Sequence, residues 1–247
     1  MPAGHLPPNE TSMRIKAVLF DRDGTLTDFD STWGPAISLV LKDLARGDET
    51  LLATLQELAM FDVAEARFTG PSILKVQSPK DYSAGWAEVI GEPDPQAMLE
   101  RIETILLDHC DRTVTPFDSV VDTLTALNLS GMPLGIATNG TEASARKQMQ
   151  ALGLGEAFGF LAGYDSGHGS KPEPGQLLAF ARHVGLEPGE IAMVGDSLHD
   201  MHAAKAAGMM RIAVTTGAIP RERLVGEADL VIERMSELLP VALGRAA

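Results

Sequence analysis

Asp21 and Asp23 stand two residues apart where an apolar run, Ala17-Val18-Leu19-Phe20, gives way to Asp21-Arg22-Asp23-Gly24-Thr25-Leu26-Thr27-Asp28. Two carboxylates this close repel and hold their protons more tightly unless a cation joins them. Chemically the pair could bind Mg²⁺, which takes oxygen ligands and is commonly held by one or two carboxylates plus a substrate phosphate. An Asp carboxylate can also attack phosphorus as a nucleophile. If the extended geometry continues past Phe20, Asp21 and Asp23 point to one side and Arg22 to the other. Gly24 lets the backbone turn sharply and approach a ligand closely. The plainer alternative is an acidic turn closing a strand, since Asp-Gly is a common turn dipeptide.

Three further stretches carry polar groups at the ends of apolar segments. Leu134-Gly135-Ile136-Ala137 runs into Thr138-Asn139, and Ile191-Ala192-Met193-Val194 runs into Gly195-Asp196, with Asp200 four residues on. Lys171 follows Gly169-Ser170 just before a helical segment. If the strands are parallel, their C-terminal ends share one edge, and these groups converge there. Acids for a metal, with a lysine, a hydroxyl and an amide for phosphate oxygens, are what phosphoryl transfer demands. Each also has an ordinary reading: Thr138 and Asn139 as a strand terminus, Lys171 as a solvated lysine, Asp200 as a helix-start acid. His168, His199 and His202 carry no ligand pattern of their own.

The elements that must position these residues fall into two patterns. From residue 116 onward short apolar strands alternate with helices (142–152, 175–184, 200–207), which implies a three-layer α/β core with a mainly parallel sheet. Residues 36–45, 50–60, 82–90 and 96–110 show helical spacing, with a loop at 69–83. The expected organisation is a loose N-terminal tail (1–12), a core built from 13–30 and 116–247, and an inserted helical cap (31–115). A last helix is expected over 235–243, and Asp118 as the cap of a helix reaching Leu129.

These residues carry a resemblance. The chain is similar to the haloacid dehalogenase-like superfamily: Asp21-Arg22-Asp23-Gly24-Thr25 as its first motif, Thr138-Asn139 as its second, Lys171-Pro172 as its third and Gly195-Asp196-Ser197-Leu198-His199-Asp200 as its fourth. The inserted helices resemble the cap of the phosphoglycolate phosphatase-like subgroup. The resemblance implies a Rossmann-like core and a hydrolase working through an aspartyl-phosphate. Asp21 would be the nucleophile, and Asp23 the acid to the leaving oxygen and then the base for water. Mg²⁺ would be held by Asp21, the Asp23 carbonyl, Asp196 and Asp200, the last directly or through water. Thr138 and Lys171 would bind the phosphoryl oxygens, with backbone amides near Asp23, Gly24 and Asn139. Dehalogenases of the superfamily lack the second acid, so Asp23 favours phosphoryl chemistry: an alkoxide leaving group needs a proton and a halide does not.

The expected activity is a Mg²⁺-dependent phosphatase of a small phosphorylated metabolite, with phosphoglycolate as the first candidate. A phosphomutase of the β-phosphoglucomutase type and a non-catalytic binding protein are the alternatives. The cap segment offers Lys42, Arg46, Arg67, Lys75 and Lys80, of which Lys75 and Lys80, with Trp86 near them, are the candidates for substrate contact.

Composition narrows the partners. A net charge of −14 over 247 residues argues against nucleic acid and anionic membranes, which need a basic surface. It leaves a small phosphate ester open, because a local metal and one lysine outweigh the global field. The single cysteine, Cys110, permits no intrachain disulfide and reads as a buried, inert thiol. No apolar run approaches the roughly 20 residues of a membrane span. The expectation is a cytoplasmic monomer or homodimer.

Overall fold

The computed structural model describes residues 15–75 and 77–244, so the expected tail at 1–12 lies outside the described residues. The first strand, β1 (Ala17–Phe20), has every residue fully buried, and it sits in the middle of the sheet. From there the chain leaves the sheet through four helices and one short hairpin. These are α1 (Phe29–Ala45), α2 (Glu49–Ala59), the strands β2 (Phe61–Asp62) and β3 (Arg67–Phe68), α3 (Pro79–Ile90) and α4 (Pro95–His109). It returns through α5 (Val120–Leu129), β4 (Leu134–Ala137), α6 (Glu142–Ala151), β5 (Phe160–Ala162) and α7 (Gly175–Val184). The rest is β6 (Ile191–Gly195), α8 (Leu198–Ala207), β7 (Met210–Val214), α9 (Arg221–Val225), β8 (Leu230–Ile232) and α10 (Leu238–Ala242).

The six-stranded sheet has the order β5-β4-β1-β6-β7-β8, and every pairing is parallel. Strands buried on both faces need no alternation, which is why they read as unbroken apolar runs. Alternate side chains of β1 enter different layers. Val18 and Phe20 join a core with Leu124 of α5 and Met149 of α6, while Ala17 and Leu19 join one with Phe180 of α7 and Ala204 of α8. The order runs outward from β1 on one side through β4 and β5, then resumes on the other at β6. The crevice above the carboxyl ends of β1, β4 and β6 is therefore the topological switch point of the sheet.

The helices α1 to α4 have their own core, centred on Trp33, Leu41, Leu55, Phe61, Trp86, Met98 and Ile102. Cys110 is buried in it as a free thiol, and burial pushes that thiol up. Two adjacent crossings join this unit to the sheet. Asp28 N–H donates to Thr115 O (2.8 Å), Thr115 N–H donates to the Thr32 hydroxyl (3.1 Å), and Thr27 bridges Pro116.

Several local expectations differ from the structure. Helix α1 starts well before residue 36 and carries Pro35 inside it, because the Asp28 side chain caps it by accepting Ser31 N–H at 2.9 Å. The missing Pro35 donor is outweighed by burial of Trp33, Ala36, Ile37 and Val40 on either side. The loop at 69–83 contains a 3₁₀ turn at Ile73–Lys75, and α3 begins at Pro79 on a Ser78–Asp81 capping box. The hairpin of β2 and β3 is too short for any periodicity to announce it; Phe68 packs its ring against Phe61 (5.0 Å) and Phe29 (5.7 Å). Ser119, with φ of 65°, precedes α5, and Asp118 does not cap it. The last helical stretch is divided into a 3₁₀ turn, Met235–Glu237, and α10.

Candidate active site

Asp21 follows directly on β1, and its N–H donates to Val194 O of β6 (2.8 Å), so the two neighbouring strands hold its backbone. Its Oδ1 accepts the Lys171 ammonium at 2.5 Å, and the same ammonium lies 2.6 Å from Oδ1 of Asp200. Asp200 spends its other oxygen on the N-terminus of α8, accepting Ser197 N–H (3.0 Å) and Oγ–H (2.6 Å) in a capping box. Asp196 directly follows β6 and accepts the Thr25 hydroxyl at Oδ1 (3.0 Å). Asp21, Asp196 and Asp200 are all buried, and one carboxylate oxygen from each lies within 4.8 Å of the others.

Three buried acids face one lysine. Burial first, moderated by Lys171 and reinforced by the charge of Asp200, pushes the Asp21 carboxyl up to about 6. Burial, then the charges of Asp21 and Asp200, hold the Asp196 carboxyl well above its usual range. Burial alone would lower Lys171, but Asp200 and Asp21 outweigh it and raise the ammonium. This is an excess of negative charge in a dry site, and a divalent cation would relieve it. Among the described residues neither Oδ2 of Asp21 nor Oδ2 of Asp196 accepts a hydrogen bond. The donor set is all carboxylate oxygen, with room left for water and substrate, which suits Mg²⁺.

Glycines create the room around Asp196. A Cβ on Gly24, which has φ of +87°, would lie 2.5 Å from Asp196 Oδ2, and a Cβ on Gly217 would collide with the same carboxylate. Thr216 ties its loop to the first motif by donating its hydroxyl to Gly24 O (2.6 Å). The residues Thr216 and Gly217, just beyond β7, are part of this edge that sequence reasoning missed. A polar, glycine-bearing segment after an apolar strand was the available signal.

Asp23 does not join the three acids. Its carboxylate is held by Arg22 (Nε–Oδ2 2.9 Å, Nη2–Oδ2 2.5 Å) and by the indole N–H of Trp33 from α1 (2.7 Å to Oδ1). Arg22 therefore does not face away from the site, as strand alternation implies. The chain turns out of β geometry after Phe20, and the guanidinium folds back, buried, onto Asp23, Ser144 Oγ (2.7 Å) and the Trp33 ring (5.1 Å). Gly140 makes space for it, since a Cβ there would strike the guanidinium.

Thr138 is buried at the end of β4, and its hydroxyl accepts Gly140 N–H (3.0 Å). Asn139 clamps the backbone of Lys171 from both ends: its amide donates to Lys171 O (2.9 Å), and its Oδ1 accepts Lys171 N–H (2.9 Å). That clamp, rather than a free amide, is what the side chain provides here. Of the cap candidates, Lys75 lines the cavity, paired with Asp30 (2.5 Å) and set over the Phe68 ring (4.5 Å). Lys80 is exposed on α3 and does not line the cavity, and Trp86 is buried in the helical core. His199 lines the cavity, while His202 is exposed.

Asp21, Asp23, Gly24, Asn139, Lys171, Asp196 and Gly217 line one cavity of about 480 Å³, enclosed between the sheet edge and helices α1, α3 and α4. A sequence profile of haloacid dehalogenase-like hydrolases matches residues 15–208, which includes every motif residue above. The chain belongs to this family. A curated relative, the phosphoglycolate phosphatase of Escherichia coli (strain K12), is 28% identical over 241 residues, covering 93% of each chain. The phosphoglycolate phosphatase of Salmonella choleraesuis is 30% identical over the same span and coverage. The solved HAD phosphatase of Thermococcus onnurineus superposes with a TM-score of 0.64 at 27% identity, covering 93% of this chain and 98% of that one. Among the described residues no helix is long and apolar enough to cross a membrane.

Proposed function

We propose that this hydrolase is a Mg²⁺-dependent phosphomonoesterase that works through an aspartyl-phosphate on Asp21, with α1 to α4 as its cap. The observation that carries the reading is the Asp21 carboxylate: one oxygen is fixed by Lys171, and the other is uncommitted at the mouth of the three-acid cluster. Asp21 Oδ2 attacks phosphorus in line with the leaving oxygen. Lys171, Thr138 and backbone amides around Gly24 and Asn139 receive the phosphoryl oxygens. Asp23 donates a proton to the departing alkoxide and then takes one from the water that hydrolyses the acyl phosphate. Asp21, Asp196, Asp200 and the Asp23 carbonyl would hold Mg²⁺, which neutralises the charge on the phosphoryl group when bound.

The names of the relatives support phosphoglycolate as the first ester to assay. The decisive test traps the intermediate. Acid-quenched enzyme should carry the mass of one phosphoryl group on the peptide containing Asp21, only when Mg²⁺ is present. Asp21→Asn should lose both the adduct and turnover of p-nitrophenyl phosphate. Turnover retained in that variant, or in excess chelator, would defeat the mechanism.

A further inference from the structure

Gln176, the second residue of α7, is fully buried and does not line the cavity. Its side-chain amide donates to two backbone carbonyls, Thr138 O just beyond β4 and Gly169 O in the loop before Lys171, each at 3.0 Å. A carbonyl only accepts, so the amide nitrogen, not the amide oxygen, must face this pair. Oε1 is then left buried, with no donor among the described residues. An unpaired buried acceptor costs free energy, and a methionine of the same length would avoid that cost. What the glutamine supplies in return is a tie between two segments, which a methionine cannot make.

Those segments carry Thr138 and Lys171. Thr138 is held by β5 through its N–H, which donates to Ala162 O (2.9 Å), and by Gln176 through its carbonyl. The Lys171 backbone is clamped by Asn139, and its ammonium reaches Asp21 and Asp200. A single clamp leaves a loop free to pivot about it. Gln176 fixes the same loop two residues earlier, at Gly169, and against the same end of β4. The start of α7 packs directly on this loop, since a Cβ on Gly175 would collide with His168 O. We propose that Gln176 is a positioning residue that holds the end of β4 and the lysine loop at one spacing, so that Thr138 and Lys171 meet the same phosphoryl group. This rests on the phosphatase reading above and names the device that sets its phosphate site.

Inorganic phosphate is the probe, because calorimetry in the presence of Mg²⁺ reads its binding without turnover. Gln176→Met keeps the length and removes both donors. Its Kd for phosphate should rise about tenfold, the worth of one well-placed hydrogen bond, and kcat/KM for p-nitrophenyl phosphate should fall alongside. The Mg²⁺ activation midpoint should stay where it is, since Asp21, Asp196 and Asp200 lie on other segments. Gln176→Glu keeps the shape and guards against a methionine variant that does not fold. Protonated, its carboxyl donates one of the two bonds; ionised, it turns negative oxygens toward two carbonyls. Its phosphate Kd relative to the wild type should therefore worsen from pH 5 to pH 9, while the same ratio for Gln176→Met stays flat. A lowered melting temperature with phosphate Kd within twofold of the wild type would reduce Gln176 to packing and overturn the proposal. So would a Glu variant whose ratio ignores pH, or a loss of phosphate and Mg²⁺ response together. A wild type that neither binds phosphate nor hydrolyses p-nitrophenyl phosphate would instead remove the phosphatase reading, whatever the variants do.

Discussion

Arg22 is the residue on which the alternation argument fails, and it explains how Asp23 is set apart from Asp21. Identity and spacing make Asp21, Asp196, Asp200 and Lys171 legible as one cluster, because Asp21 and Asp196 directly follow strands, Asp200 lies in the first turn of the next helix and Lys171 in the loop before α7. The partners of Asp23 are not legible that way. Trp33 is ten residues downstream in another structural unit, and its indole N–H reaches back at 2.7 Å. An aromatic on an apolar helix stripe carries no mark that its nitrogen binds an acid. The consequence is testable. Trp33→Phe keeps the packing and removes the donor, so Asp23 loses one of its two tethers. Turnover of alkyl phosphates, whose leaving oxygen needs a proton, should fall on the order of tenfold. Turnover of p-nitrophenyl phosphate, whose phenolate departs unaided, should fall much less. Equal losses on both substrates would show that Trp33 acts only through packing.

At the scale of elements, the parallel strands were readable because burial on both faces leaves unbroken apolar runs, and the helices around them because apolar spacing and glycine stops agree. What escaped reading was set by tertiary contact. Examples are a two-residue hairpin held by Phe61, Phe68 and Phe29, and a helix that runs through Pro35. The loop after β7 is the functional case: Thr216 and Gly217 close the site only because β7 lies beside β6 in the sheet. Gly217→Ala should push the Asp196 carboxylate from its place, since the added Cβ falls on it. The expected effect is a weaker activation by Mg²⁺, its midpoint shifted upward by about tenfold or more, with kcat largely recovered at saturating metal. A metal-activation curve for the variant measures this directly. An unchanged midpoint with a lowered plateau would assign Gly217 to substrate access instead.

For the whole molecule, the acids that make the site also strain the fold. The chain carries a net charge of −14, and its most buried acids, Asp21, Asp196 and Asp200, share a single lysine. The linkage has a definite sign. Asp21 ionises near 3.8 when unfolded and at about 6 in the metal-free fold, so the folded state binds the proton more tightly. The stability this confers is fully present below about pH 4 and is lost as pH rises through 6; Asp196 is shifted in the same direction. In chelator, the melting temperature should therefore fall between pH 5 and pH 7 by an amount worth on the order of 2 kcal/mol, or several degrees for a chain of this size. General acidity would give a similar slope, so the variant decides. Asp21→Asn should flatten that slope and melt higher than the wild type at pH 7 in chelator, although its turnover should be lost. Mg²⁺ should reverse the ranking, because a ligand that binds only the folded state adds about 2.7 kcal/mol at a hundred times its Kd, and the variant lacks one of the carboxylates proposed to hold it. Paired melts of both proteins with and without Mg²⁺ read this out. A wild type that melts higher than Asp21→Asn in chelator at pH 7 would mean that Lys171 already balances the cluster, and that no metal is needed to hold these acids together.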